Sequence, residues 1–257
     1  MKFSIITPSF NQGPFLGETI DSVIGQTGSF RIEYFVMDGG STDNTVEILK
    51  QTEKALKNNP RIKFYWQSRK DKGQVDAINQ GLKKTTGDIV AYINSDDYYL
   101  PGAFSQIKEY FDLHPDKLWV AGDCKVTDRR LTWTFFLKHI WPVDKFGWAL
   151  PVFNTINQPA VFLRSCLTEK TGVFNITYTY AFDYDYWLRC CRSGLPGRIN
   201  TELAVFRIHP ESKGNTGYIK QFGEDTEVVN KYTQNRLIKI VHKFGRLLVN
   251  LSYRYLK

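Results

Sequence analysis

Two adjacent carboxylates, Asp96 and Asp97, close a stretch that reads Gly-Asp-Ile-Val-Ala-Tyr-Ile-Asn-Ser-Asp-Asp-Tyr-Tyr-Leu-Pro over Gly87–Pro101. An apolar run, Ile89 to Ile93, is aimed straight at them. Carboxylates at the carboxyl end of a buried strand sit where open α/β sheets bind their ligands. Side by side they repel unless a cation or a ring of donors holds them. With oxygen ligands and no cysteine nearby, the expected cation is Mn2+ or Mg2+ carrying a substrate diphosphate. The plainer alternative is an Asp-Asp turn before the next helix, which Pro101 would start.

Other residues are placed for related chemistry. Asp38 ends a second apolar run, Ile32 to Met37, and leads into Gly-Gly-Ser-Thr-Asp. A carboxylate there can accept hydrogen bonds from a ribose or a base, or it can simply start a turn. Gly73 and Gln74 open a helical segment whose N-terminus would favour an anion such as a diphosphate. Asp183 and Asp185 fall in the first turns of a helix beginning near Tyr180, where acids also suit the helix dipole. Two residues apart, they do not share a face. His209 ends a strand in a turn, following the acidic pair along the chain.

The elements that must position these groups alternate. Strand-like runs at Phe3–Thr7, Ile32–Met37, Ile62–Trp66 and Ile89–Ile93 are separated by helical segments from Gly13-Pro14 to about Gln26, from Ser41 or Thr42 to about Lys57, and from Lys72 onward. That pattern predicts a parallel sheet flanked by helices. A helix over 101–114, a strand at Leu118–Ala121 and a strand at Gln158–Leu163 follow. Between the last two, residues 124–150 are rich in Trp, Phe and Lys without a clean period. Trp133, Trp141 and Trp148 there would stack on sugar rings or fill a core.

The net charge of +8 is unevenly spread: residues 1–227 carry 27 basic and 26 acidic side chains, whereas 228–257 carry seven basic and no acidic ones. An acidic partner therefore meets the tail. At roughly 100° per residue, Leu237, Ile240, Val241, Phe244, Leu248, Leu251 and Tyr255 fall on one face of a helix. Arg236, Lys239, Lys243, Arg246, Arg254 and Lys257 fall on a flank turned away from it. Such a helix suits an anionic membrane surface, or else packs on its own domain with a solvated basic side. No stretch approaches a membrane span, no leader is apparent, and the four cysteines lack Cys-x-x-Cys spacing, which argues against zinc or a redox pair. A cytoplasmic protein, peripheral on the inner face of the plasma membrane, is the expectation.

Taken together, Ser4–Asn11, Asp38–Asp43, Gly87–Asp97, Asp183–Arg189 and Arg207–His209 resemble the family 2 glycosyltransferases, in that family's order and at its separations. The resemblance covers roughly residues 3–213 and leaves the tail outside. It implies the GT-A fold: a Rossmann-like, mostly parallel α/β sheet flanked by helices, here with a C-terminal helical extension. The division it implies is a nucleotide-sugar-binding half at 1–123, an acceptor-binding and catalytic-base half at 124–215, and a basic amphipathic helical tail at 216–257. By the same likeness Thr7 and Asp38 would hold base and ribose. Asp96 and Asp97 would stand at the Asp-x-Asp motif, with Asp97 the direct metal ligand and His209 an additional one. Asp183 would be the catalytic base, with Asp185 its rival. Two departures stand out: Asn94 replaces the first acid of the metal motif, and Phe182 replaces a Glu beside Asp183.

The expectation is an inverting, metal-dependent glycosyltransferase using a nucleotide sugar, with a UDP-sugar as the first expected donor. A glycan or lipid-linked acceptor in surface-polysaccharide biosynthesis would complete the reaction. A catalytically silent sugar-nucleotide-binding scaffold is the alternative that Asn94 and Phe182 suggest. Nucleic acid is not an expected partner, because the charge is confined to the tail and no RNA-binding motif is present.

Overall fold

The computed structural model describes residues 1–127, 150, 154–209 and 217–255. Trp133, Trp141 and Trp148 lie outside the described residues. The first half follows the expected alternation: β1 (Lys2–Ser9), α1 (Gly13–Ile24), β2 (Arg31–Asp38), α2 (Thr45–Leu56), β3 (Ile62–Ser68), α3 (Gln74–Leu82), β4 (Ile89–Tyr92), the short β5 (Tyr98–Tyr99) and α4 (Ala103–Leu113). Then come β6 (Trp119–Val126), a 3-10 turn (Gln158–Ala160), β7 (Val161–Arg164), α5 (Ser165–Thr171), α6 (Phe182–Cys190), β8 (Gly197–Phe206), α7 (Tyr218–Tyr232) and α8 (Arg236–Tyr255).

The described strands form one eight-stranded sheet ordered β3-β2-β1-β4-β7-β6-β8-β5. β1, β2, β3 and β4 run parallel, so their carboxyl ends share one edge of the sheet. β7 runs antiparallel to both β4 and β6, β8 is parallel to β6, and β5 is antiparallel to β8. The parallel character thus belongs to the first half, and the second half is mixed. β6 runs through position 123–124, so the expected boundary between halves falls inside one strand, and the halves share a single sheet.

Strand side chains alternate between two buried faces, which is why these strands read as nearly continuous apolar runs. Phe3 and Ile5, with Ile32, Tyr34, Val36, Ile89 and Ala91, pack against α1 and α4. Ile6, Phe35, Met37, Val90 and Tyr92 face the other way, toward α3, α6 and α7. Gly87 lets β4 enter beside β1, because a Cβ there would lie 2.8 Å from the Lys2 carbonyl oxygen. On the second face Trp119 stacks on Trp187 with centroids 5.8 Å apart, fixing α6 over β6.

Three local expectations shift. α2 starts at Thr45 rather than after Ser41 or Thr42, because Asp43 accepts the Thr45 amide at 3.0 Å and also ties down Gly13. α4 starts at Ala103, after Gly102 in the left-handed region, so Pro101 precedes the helix rather than opening it. The segment 158–163 is a 3-10 turn first and a strand only from Val161. The tail is two helices, of which α7 packs intimately on α6.

Candidate functional site

The site is built where chain direction reverses across the sheet, at the carboxyl ends of β1 and β4. After β4 the chain turns tightly, with the Asp97 amide bonded to the Asn94 carbonyl at 3.1 Å. The Thr19 hydroxyl of α1 lies 2.8 and 2.7 Å from the Ser95 and Asp97 carbonyl oxygens and pins that turn to the helix. β5 then pairs with the end of β8, Tyr98 opposite Val205. That pairing delivers Arg207 and His209 to the acidic pair from a point more than a hundred residues away.

Asp97 is 1% exposed. Its Oδ1 accepts the Arg207 backbone amide at 2.9 Å and its Oδ2 accepts the Asn94 amide at 3.2 Å. Burial, with the neighbouring Asp96 charge, pushes its carboxyl well above the usual range despite those bonds. Asp96 is half-buried and meets His209 Nε2 at 3.1 Å. The His209 ring packs on Phe15, 4.6 Å between centroids. The Arg207 guanidinium is held between Phe15 and Tyr98, 5.0 Å from each ring, and donates to Glu18 at 2.8 Å.

This cluster fits a divalent cation. Two adjacent carboxylates with too little compensating charge are what such an ion relieves. Carboxylate oxygens joined by an imidazole favour Mn2+ over Mg2+. Among the described residues no three His, Cys, Asp or Glu side chains form a complete cage. An ion held by one or two protein carboxylates and completed by substrate phosphates needs none.

Asn94, the departure from an acid, is the hub of an amide network. Gln74 donates to its Oδ1 at 2.6 Å, and its own amide reaches Asp97 and, at 3.3 Å, Gln158. Gln158 in turn donates to the Tyr92 carbonyl at 2.8 Å, because antiparallel β7 starts where β4 ends. Gly73, at φ 102°, a value that favours glycine, turns the chain so that Gln74 opens α3 beside this network.

Asp183 arrives from the other side. Phe182 packs on Tyr92 and Phe174, centroids 6.3 and 5.9 Å away, which seats the N-terminus of α6 over the end of β4. Burial drives the Tyr92 phenol well above its ordinary pKa, and the nearby Asp183 and Asp97 carboxylates add to the shift. Asp183 is half-buried, and its Oδ1 accepts the Tyr184 amide at 2.6 Å.

Two expected site residues point elsewhere. Thr7 is fully buried, its hydroxyl 3.0 Å from that of Tyr34 on the α1 side of the sheet, and has no face toward a ligand. Asp185 is 1% exposed and is held by Arg189 at 3.0 Å, Lys231 at 2.9 Å and Tyr232 at 2.8 Å. It ties α6 to α7 and cannot serve as the rival base. Asp38 stands at the expected edge but works first as a loop organiser. It accepts the Gly40 and Ser41 amides at 3.1 and 2.9 Å and the Ser41 and Ser68 hydroxyls at 2.5 and 2.6 Å.

Several residues were not legible from sequence reasoning. Phe10 follows β1 beside the Asp38 loop and is 59% exposed, an open aromatic face at the ligand edge. Gln158 gave no sign beyond a Gln-Pro pair before a strand. Glu224 in α7 accepts the amides of Thr179, Tyr180 and Ala181 at 3.0, 2.7 and 2.9 Å, and so caps from outside the helix that carries Asp183.

Known proteins resemble this chain in sequence and in fold. The family described as Glycosyl transferase family 2 matches residues 4–167. An uncharacterized glycosyltransferase of Mycobacterium tuberculosis is 28% identical over 235 residues, covering 86% of this chain and 82% of its own. The PGL/p-HBAD biosynthesis glycosyltransferase of Mycobacterium bovis is 28% identical over 190 residues, 73% of this chain and 69% of its own. Among solved structures, the mannosyltransferase PcManGT from Pyrobaculum calidifontis, in complex with GDP-Man and Mn2+, superposes with a TM-score of 0.70 at 16% identity, covering 99% of this chain and 71% of that one. S. aureus TarS 1-349 in complex with UDP-GlcNAc gives 0.66 at 16% identity, covering 93% and 69%. Against the longer TarS chain, the match spans 41% of that protein's length.

Proposed function

We propose, from the premise that the chain belongs to glycosyl transferase family 2, that it is an inverting, metal-dependent transferase. It moves a sugar from a nucleotide-sugar donor to a hydroxyl of a glycan or lipid-linked acceptor in surface-polysaccharide biosynthesis. It is a glycosyltransferase with the GT-A fold. The observation that supports the finer reading is the packing of Phe182 on Tyr92, which seats the N-terminus of α6, and Asp183 with it, over the end of the strand that leads into Asp97.

The residues then divide the labour. Phe10 offers a face on which a base can stack, and the loop that Asp38 organises borders the ribose. The first turn of α3 and the amides of Gln74 and Asn94 line the phosphate and sugar side. Asp97, with Asp96 and His209, would hold a divalent cation, which supplies charge neutralisation for the departing diphosphate. Asp183 accepts the proton of the acceptor hydroxyl as its oxygen forms the new bond to the anomeric carbon. The bond from that carbon to the diphosphate oxygen breaks on the opposite face, inverting the centre. General-base work of this kind is worth about 10²–10⁴-fold, and holding donor and acceptor in line supplies more.

The test is a panel of nucleotide sugars screened for thermal stabilisation with and without Mn2+, followed by transfer assays with the stabilising donor. One donor class should raise the unfolding temperature only with Mn2+, and Asp97→Asn should remove that gain. Stabilisation that ignores both the metal and Asp97 would overturn metal dependence. Tight donor binding with no transfer to any acceptor and no donor hydrolysis would favour the silent scaffold.

A further inference from the structure

Among the described residues α8 presents three lengthwise faces, one of which packs on the domain. Toward the domain, Ile238 packs on the core cluster that includes Val228 and Val229 of α7, and His242 is buried. Arg246 pairs with the buried Asp225 of α7. Those contacts fix the roll of the helix. The main apolar stripe is thereby turned outward: Leu237 is 70% exposed, Ile240 61%, Val241 42% and Phe244 61%. Beside it, on the edge away from the domain, lie Arg236 and Lys243, both exposed, and the half-buried Lys239.

A surface helix normally hides its apolar stripe and wets its polar one. Here the stripe is solvent-facing while the domain is served by a second, narrower edge, so the helix is built to be covered twice. No described helix is long and apolar enough to cross a membrane. A lipid surface accepts a helix lying in its plane, with apolar side chains below the headgroups and cations among them. The charge selects between occupants. From residue 228 onward there is no acid, and while Lys231 and Arg246 are paired with Asp185 and Asp225, Arg236, Lys239 and Lys243 line the stripe, so a second copy laid stripe to stripe would bring like charges together. An anionic headgroup layer would neutralise them.

We infer that the Leu237–Phe244 stripe of α8 docks the protein on an anionic lipid surface, with Arg236, Lys239 and Lys243 at headgroup level and the Asp225–Arg246 pair setting the roll. This inference does not rest on the transfer reaction.

The experiment is co-sedimentation of the full chain with vesicles of phosphatidylcholine alone or with one-quarter phosphatidylglycerol. Binding should require the anionic lipid and weaken as salt rises. Ile240→Ser with Phe244→Ser should cut partitioning at least tenfold without moving the unfolding midpoint, since both side chains are exposed. Lys239→Gln and Lys243→Gln should each cost about fivefold. Equal binding by the serine pair, indifference to phosphatidylglycerol, or no vesicle binding would overturn the inference. So would a concentration-dependent dimer that the serine pair dissolves while vesicles have no effect. A chain that binds vesicles but transfers no sugar would refute the proposed function and leave this inference standing.

Discussion

Asp183 and Asp185 are two residues apart on one short helix, and they belong to different regions of the molecule. Asp183 is half-buried at the N-terminus of α6, which Phe182 seats over the end of β4. Asp185 looks into the seam between α6 and α7, where one guanidinium, one ammonium and one phenol hold it. A first-turn acid can serve the reaction or the fold, and neighbouring packing decides which. The site acid keeps part of its surface exposed, whereas the seam acid is 1% exposed.

The sharpest way to break the comparison is to neutralise each in turn. Asp183→Asn should lower kcat by about 10²–10⁴-fold while the unfolding midpoint and nucleotide affinity stay put. Transfer at the wild-type rate would remove Asp183 from the mechanism. Asp185→Ala should do the converse. It should lose about 3 kcal/mol of stability, the low end for a broken buried pair, because Lys231 is half exposed and recovers water. Activity per folded molecule should hold in the cold. Urea melts paired with single-turnover rates would separate the two variants.

The same contrast explains which parts of the molecule are legible in the sequence. The parallel half was legible because each strand is buried on both faces and each returns through a helix, which leaves long apolar runs punctuated by Gly, Asp and Asn. Asp38, Gly73, Gln74, Asp96 and Asp97 lie at the expected edge for that reason, whereas His209 comes to Asp96 through the pairing of β5 with β8. Thr7 did not, since side-chain alternation turns it toward Tyr34, and one residue of phase decides between core and ligand. The second half was not legible in the same way. Gln158 reaches Asn94 only through an antiparallel pairing with β4, and Glu224 reaches the amides of Thr179, Tyr180 and Ala181, just ahead of Asp183, only through the packing of α7. Spacing separated Asp183 from Asp185 but could not say which faced the cleft.

The seam extends to the tail, and there the comparison can be sharpened with pH. Burial pushes the Asp225 carboxyl up to about 6, against the pull of Arg246 and with some help from Glu224. Since the ordinary value is 3.8, the folded chain holds this proton more tightly than the unfolded one. Its contribution to stability is full below about pH 4 and fades as pH climbs through 6. The loss is at most about 3 kcal/mol, from roughly 1.4 kcal/mol per unit. The stability gap between wild type and Asp225→Asn should therefore shrink from pH 4 to pH 7.5. A gap that widens over that range would mean that the ion pair with Arg246 outweighs its desolvation.

The smallest effect asks whether the seam reaches the reaction at all. Glu224 is a seam residue by location, yet it accepts the three amides that lead into α6 and so sets where Asp183 stands. Glu224→Gln keeps the shape but puts an NH2 group against donors that need an acceptor. The cost is about 1–2 kcal/mol, spent on the entry to α6 rather than on the core. A base displaced by a fraction of an ångström loses rate before it loses binding. The expected outcome is a roughly tenfold lower kcat with donor affinity intact, because the donor edge is built from β1, β2, α3 and the β4 turn, none of which Glu224 touches. If stability drops and kcat does not, the two regions are independent and Glu224 belongs to the fold alone. If kcat falls with affinity unchanged, the seam is the support on which the base is held.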